Sequence, residues 1–227
     1  MALVRLERIT KEYRLGHSTV QALKGIDLSV DAGEFLALAG PSGSGKTTLL
    51  SLISGIERPT SGHVFVDEID VGGLSSDQLA EMRAGHIGFV FQHFNLLPVL
   101  TALENVEYPL LNRRMASPDR RRRAQEALDR VGLARFSRHR PLELSGGQMQ
   151  RVAIARAMVT DAPIILADEP TANLDHQTGQ DILRLMKTIN RERRTTFIFS
   201  THDKKVMDLA NRVVSLWDGL IGNGAHG

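Results

Sequence analysis

Gly40-Pro41-Ser42-Gly43-Ser44-Gly45-Lys46-Thr47 fits the pattern G-x-x-x-x-G-K-[ST] in full. It follows the apolar run Phe35-Leu36-Ala37-Leu38-Ala39 and precedes a segment, 46–53, that reads as a helix. Strand, glycine-rich loop and helix in that order form the opening unit of an α/β fold built around bound phosphate. The glycines leave backbone N–H groups free to cradle phosphate oxygens, Lys46 reaches the β/γ phosphates, and Thr47 can hold Mg²⁺. With glycine near 7% of residues, the pattern arises by chance in on the order of one in a hundred chains this long. Alone it points to a nucleotide and no further.

Leu144-Ser145-Gly146-Gly147-Gln148 narrows the reading. It opens an apparent helix over 148–159, with Val152, Ala155 and Val159 on one face, so a second helix N-terminus is offered to an anion. Two such helix starts in one chain suggest a nucleotide site completed by two copies. Between this stretch and the end of the chain lies Ile164-Ile165-Leu166-Ala167-Asp168-Glu169, a buried-type strand ending in two acids. In a parallel sheet ligands gather at the carboxyl ends of strands, so both acids fall beside the phosphates. Adjacent residues there point in different directions. Asp168 suits a Mg²⁺-linked role and Glu169 a position beside an attacking water. An isolated strand ending in charges is ordinarily just solvated; the complete phosphate loop upstream is what tips this one towards function.

At these residues the chain resembles the ATP-binding subunit of ABC transporters, whose signature is LSGGQ. The resemblance runs in motif order from Tyr13 to His202. It implies that Gly40, Pro41, Ser42, Gly43, Ser44, Gly45, Lys46, Thr47 and Thr48 hold ATP and that Tyr13 stacks on adenine. It also implies that Leu144, Ser145, Gly146, Gly147 and Gln148 meet the ATP of the opposite subunit. Gln92, after the strand 87–91, resembles the glutamine that touches Mg²⁺ or water where the membrane partner docks. With Thr47 and Asp168 it makes the expected metal set, and with Glu169 and His202 the expected catalytic set. His202, in Ser200-Thr201-His202-Asp203, resembles the switch histidine at the γ-phosphate; the other seven histidines read as surface residues. Asp175 closes Ala172-Asn173-Leu174-Asp175, which resembles the loop crossing the dimer interface. Two longer stretches, from Phe91 to Pro98 and from Ala167 to Asp175, resemble the lipoprotein-release and macrolide-export branch (LolD/MacB type). Met149, where that branch usually has a polar residue, is a small departure.

Length and composition agree. The 227 residues can bury a sizeable core, and 42% apolar with 24% charged residues is an ordinary globular balance. A net charge of +2 gives no electrostatic reason to expect nucleic acid as a partner. Cysteine is absent, which rules out disulfides and thiolate metal sites and fits a cytoplasmic protein. The first residues carry charges where a signal peptide needs an apolar run. No stretch approaches the roughly 18 apolar residues of a membrane span. Other chains would then supply any channel. Arg120-Arg121-Arg122-Arg123 spreads around a helix cylinder and reads as a solvated face.

Further elements are expected as strands at 3–9, 26–30, 63–66, 87–91, 164–167, 196–200 and 213–217, and as helices at 102–111, 118–131, 178–190 and 204–210. The turn 31–34 should lead into the strand 35–39, and 222–227 should be a loose tail. The fold expected is an α/β P-loop ATPase of the ABC type, one domain over 1–227. It would carry an antiparallel β-subdomain near the N-terminus and a helical subdomain at about 95–159. The resemblance implies ATP and Mg²⁺ as cofactors, an ATP-dependent homodimer, integral membrane permease subunits as partners, and a peripheral place on the cytoplasmic face of the cell (inner) membrane. Two alternatives stand beside it. A regulatory ATPase of a cell-division-type membrane complex would carry the same motifs, so only its partner distinguishes it. A soluble, non-transport ABC ATPase usually has two cassettes or a long coiled coil, and this chain has one phosphate loop and no sustained heptads.

Overall fold

A computed structural model describes residues 2–16 and 18–222; the expected tail beyond Gly222, with His226, and also His17 lie outside the described residues. Among the described residues the strands form two sheets. The first is antiparallel, in the order β2-β1-β4-β5, from β1 (Ala2–Leu15), β2 (Ser18–Asp31), β4 (Ser61–Val66) and β5 (Ile69–Asp70). The second runs β10-β9-β3-β8-β7-β6, from β3 (Phe35–Ala39), β6 (Ile87–Val90), β7 (Ile164–Ala167), β8 (Thr196–Thr201), β9 (Arg212–Trp217) and β10 (Leu220–Gly222). Its strands are parallel except for β10, which turns back on β9.

Period-2 alternation on the parallel strands divides the core. Leu36, Leu38, Ile164, Leu166 and Ile198 point to one face, where they meet Leu49, Leu50 and Ile53 of α1 (Lys46–Ile53) and the inner side of the antiparallel sheet, including Val4, Leu6 and Val64. Phe35, Ala37, Ile165, Phe197 and Phe199 point to the other. There they meet Val152 and Ala155 of α5 (Gly146–Met158) and Ile182 and Met186 of α6 (His176–Arg193). Both faces are covered, so β3 and β7 are buried at every position and read in the sequence as unbroken apolar runs. Each fully buried Leu or Phe contributes about 1.5–3 kcal/mol by leaving water.

Elsewhere the chain departs from the expected spans for identifiable reasons. β1 and β2 are each 14 residues long, but register shifts around Leu6 to Thr10 break the alternation, and Arg8 takes φ 48° while its N–H donates to Asp27 Oδ1. The helix expected at 102–111 ends early, as α3 (Ala102–Glu107) followed by a 3-10 turn, Tyr108–Leu110. Pro109 has no N–H to continue the ladder. An unforeseen α2 (Ser76–His86) starts at a capping box in which Ser75 and Gln78 satisfy each other's backbone N–H.

On α4 (Ser117–Arg130) the arginine run diverges as its spacing requires, but only part of it is solvated. Arg121 and Arg122 are exposed, whereas Arg120 is bonded to Glu107 and Arg123 donates to the Val159 carbonyl and to Asp161. The surface reading of the histidines needs a similar correction. His139 is half-buried, with its ring edge-on to Phe136 and its Nδ1 buried without a hydrogen bond.

Candidate functional site

Parallel strands end on one edge, and here that edge collects the chemistry. Register pairs Ala39 with Thr201, Ala167 with Phe199, and Val90 with Ala167. The loops after β3, β6, β7 and β8 therefore emerge side by side. They carry Lys46 with Thr47, then Gln92, then Asp168 with Glu169, then His202. A cleft of about 290 Å³ is walled by Ser42, Gly43, Gly45, Lys46, Thr47, Thr48, Gln92, Asp168 and Glu169, with Ala22 of β2 at one side.

The phosphate loop holds its shape through backbone conformations that glycine alone takes easily. Gly45 has φ 104°, and a Cβ there would lie 2.8 Å from the Ala22 carbonyl and from Leu23 Cδ2. Lys46 is almost fully buried, and its ammonium donates to the carbonyls of Gly40 and Pro41, 2.8 Å each. The charge is thus fixed inside the curl of the loop, where N–H groups and the α1 N-terminus already favour an anion. Ser44 Oγ is buried there without a hydrogen-bond partner.

Thr47 Oγ1 lies 3.1 Å from Asp168 Oδ1, which also accepts from Ser200 Oγ at 2.6 Å. The same Ser200 oxygen accepts the Glu169 N–H at 2.8 Å. Glu169 Oε1 is 3.3 Å from Nδ1 of the largely exposed His202. Hydroxyl, carboxylate and the Gln92 amide are all oxygen donors. They suit a hard cation that takes its remaining ligands from phosphate and water, as Mg²⁺ does.

Tyr13 sits half-buried near the far end of β1. Its hydroxyl donates to Glu57 Oε2 at 2.6 Å, and the Lys11 ammonium lies 5.0 Å from its ring centroid. Burial, followed by the bond to Glu57, pushes its phenol above the usual value. Burial alone would also raise the Glu57 carboxyl, but the bonds from Tyr13 and Lys11 outweigh it and hold that group down. The sequence did not single out Glu57, because the bond crosses 44 positions of chain.

Ser145 lies away from this cleft. It caps α5, its Oγ accepting the Gln148 N–H while Gln148 Oε1 accepts the Ser145 N–H, and it is exposed. A Cβ on Gly147 would lie 2.5 Å from Thr178 Cγ2, and one on Gly146 3.3 Å from Leu174 Cδ2. The glycines let the helix start rest on the segment 173–178 of its own chain. Leu144 is buried beneath it. Asp175 caps α6 by accepting the Thr178 N–H, and the Thr178 side chain, then that N–H, holds its carboxyl below the usual range. Asn173 Nδ2 donates to the Gln92 carbonyl at 2.9 Å, and Arg156 of α5 donates to the carbonyls of Phe94 and Asn95. The signature helix, the segment after Glu169 and the segment after Gln92 are thereby tied together.

Comparison with known proteins gives a consistent picture. The family model described as "ABC transporter" matches residues 23–172. The uncharacterized ABC transporter ATP-binding protein MJ0796 of Methanocaldococcus jannaschii is 47% identical over 223 residues, 96% of this chain and 95% of that protein. A dimeric structure of that cassette, in a post-hydrolysis state bound to ADP and Pi, matches with a TM-score of 0.90 at 46% identity, covering 97% of both chains. The lipoprotein-releasing system ATP-binding protein LolD 1 of Rhodopseudomonas palustris is 46% identical, covering 96% of this chain and 98% of its own. The macrolide export ATP-binding/permease protein MacB of Syntrophobacter fumaroxidans is 47% identical over 97% of this chain, which spans only 31% of MacB.

Proposed function

Since the chain belongs to the ABC transporter family, we propose that it is the ATP-hydrolysing subunit of a membrane transport complex, of the lipoprotein-release or macrolide-export kind. The observation that carries this reading is the strand-end cluster: Lys46, Thr47, Gln92, Asp168, Glu169 and His202 emerge from four neighbouring loops. Residues 1–227 act as one ATP-binding domain, with 95–159 as its helical subdomain. Among the described residues no helix is long and apolar enough to cross a membrane. Permease chains docked near Gln92 would supply the path, with this subunit on the cytoplasmic face.

In the proposed mechanism Lys46 and the loop N–H groups grip the β and γ phosphates, and Tyr13 stacks its ring on the adenine. Thr47, Asp168 and Gln92 would hold Mg²⁺, which supplies charge neutralisation at the phosphates. Glu169 orients or deprotonates the attacking water, and His202, beside it, contacts the γ-phosphate. A second copy docks head to tail and lays its helix start, the exposed Ser145 with Gly146 and Gly147, on the same nucleotide, with Asp175 at the crossing. ATP strongly favours the closed pair, and hydrolysis removes that differential affinity, so the pair reopens.

Ser145→Arg tests the assignment of the helix start. The bulky cation replaces an exposed residue, so ATP binding to the isolated monomer should stay near wild type while turnover collapses for want of closure. Equal loss of binding and turnover would place Ser145 in its own chain's site. Nucleotide titration and steady-state hydrolysis on the same preparation separate the two outcomes.

A further inference from the structure

Glu169 holds φ 42°, a left-handed backbone that a residue with a side chain keeps only where its surroundings over-determine it. Two fully buried polar side chains grip the main chain around it. On one side the Ser200 hydroxyl accepts the Glu169 N–H. On the other, Gln150 Nε2 donates to the carbonyl of Pro170 at 2.8 Å. Gln150 sits on α5 five residues beyond Ser145, about 7.5 Å along the helix axis. Its Oε1 has no hydrogen-bond partner. The amide's one bond supplies a donor to the carbonyl of the buried Pro170, so the glutamine is aimed at the main chain beside the carboxylate.

Resting on the functional reading above, we propose that Gln150 is a positioning residue for Glu169. It fixes the peptide after the carboxylate and ties it to the helix whose exposed start meets the nucleotide of the other subunit. Gly146 and Gly147 reinforce the link, because with no Cβ they let the start of α5 lie close against Leu174 and Thr178 in the segment after Glu169. Docking of one subunit's helix start on its partner's nucleotide is thereby transmitted to that subunit's own carboxylate.

Gln150→Met keeps the volume and removes the amide. The expected result is unchanged ATP affinity in the monomer and a melting temperature a few degrees lower, because the Pro170 carbonyl loses its donor. The kcat should fall about 10- to 100-fold with KM nearly constant, as for a carboxylate displaced by a fraction of an ångström to an ångström. In a Glu169→Gln background the same change should slow single-turnover hydrolysis no further, since both substitutions act through one group. That double variant should still pair on ATP. Gln150→Asn, one methylene too short to reach Pro170, gives the same kcat loss and serves if the methionine variant folds poorly. Wild-type kcat in both Gln150 variants, a kcat loss matched by lost ATP affinity, or a multiplicative effect in the double variant would overturn the proposal. If Glu169→Gln alone hydrolysed ATP at the wild-type rate, the functional reading itself would fail, and this proposal with it.

Discussion

Glu169→Gln should yield a chain that pairs on ATP and stays paired. The substitution keeps the size of the side chain and removes the carboxylate that orients or deprotonates the water. Lys46, Thr47 and Asp168 remain in place, so ATP should still bind and still favour the closed arrangement. The Ser200 hydroxyl that accepts the Glu169 N–H bonds to the main chain, so the substitution leaves it intact. Hydrolysis should slow by the roughly 10²–10⁴-fold expected on loss of a positioned general base. Size-exclusion chromatography with ATP, ADP and no nucleotide should give a dimer peak with ATP alone, in this variant and not in the wild type. Wild-type turnover would remove Glu169 from the mechanism. Lost turnover without a dimer would leave Glu169 catalytic but undo the shared site.

Lys46→Ala should abolish function from the opposite direction, before closure. The lysine is buried within the loop and donates to two of its carbonyls, so its removal takes away both the charge facing the phosphates and a brace of the loop. A charge-assisted hydrogen bond of this kind contributes roughly 1.5–3 kcal/mol, which is about 10- to 150-fold in affinity before any catalytic effect. Calorimetric titration and hydrolysis assays should both show the loss, with the ATP-dependent dimer absent. Affinity and turnover near wild type together would contradict the phosphate-loop assignment.

What could be read in the sequence follows from how each element meets its surroundings. β3, α1 and β7 were legible to the residue because strands covered on both faces are unbroken apolar runs, and the glycine loop punctuates them. β1 and β2 were legible only in part, since bulges interrupt the alternation that marks a strand. α2 escaped notice because only Leu79 and Met82 of its eleven residues are buried, too few to make a stripe. Asp168 and Glu169 stand out because they end an apolar strand, where a parallel sheet delivers its loops; Lys46 is marked by the phosphate-loop pattern, and Gln92 and His202 by strand-end position together with the family resemblance. Ser200 and Gln150 do not stand out, because their partners are backbone groups far along the chain. A signal was present for both. Ser200 continues the buried run Phe197-Ile198-Phe199, and Gln150 shares its helix face with Ala153, Ile154 and Ala157. A polar residue on a buried stripe is the feature to question.

The central claim is that the phosphate loop of one copy and the α5 start of another close on the same nucleotide. The natural chain has no cysteine, so thiols introduced at the exposed Ser42 and Ser145 are the only ones present. The most direct measurement is linkage of Ser42→Cys, Ser145→Cys chains by a short bis-maleimide in the Glu169→Gln background, read by mass on a denaturing gel. The account predicts a covalent dimer with ATP, little with ADP or without nucleotide, and little from either single cysteine. A product linked within one chain, or a dimer yield indifferent to ATP, would contradict it.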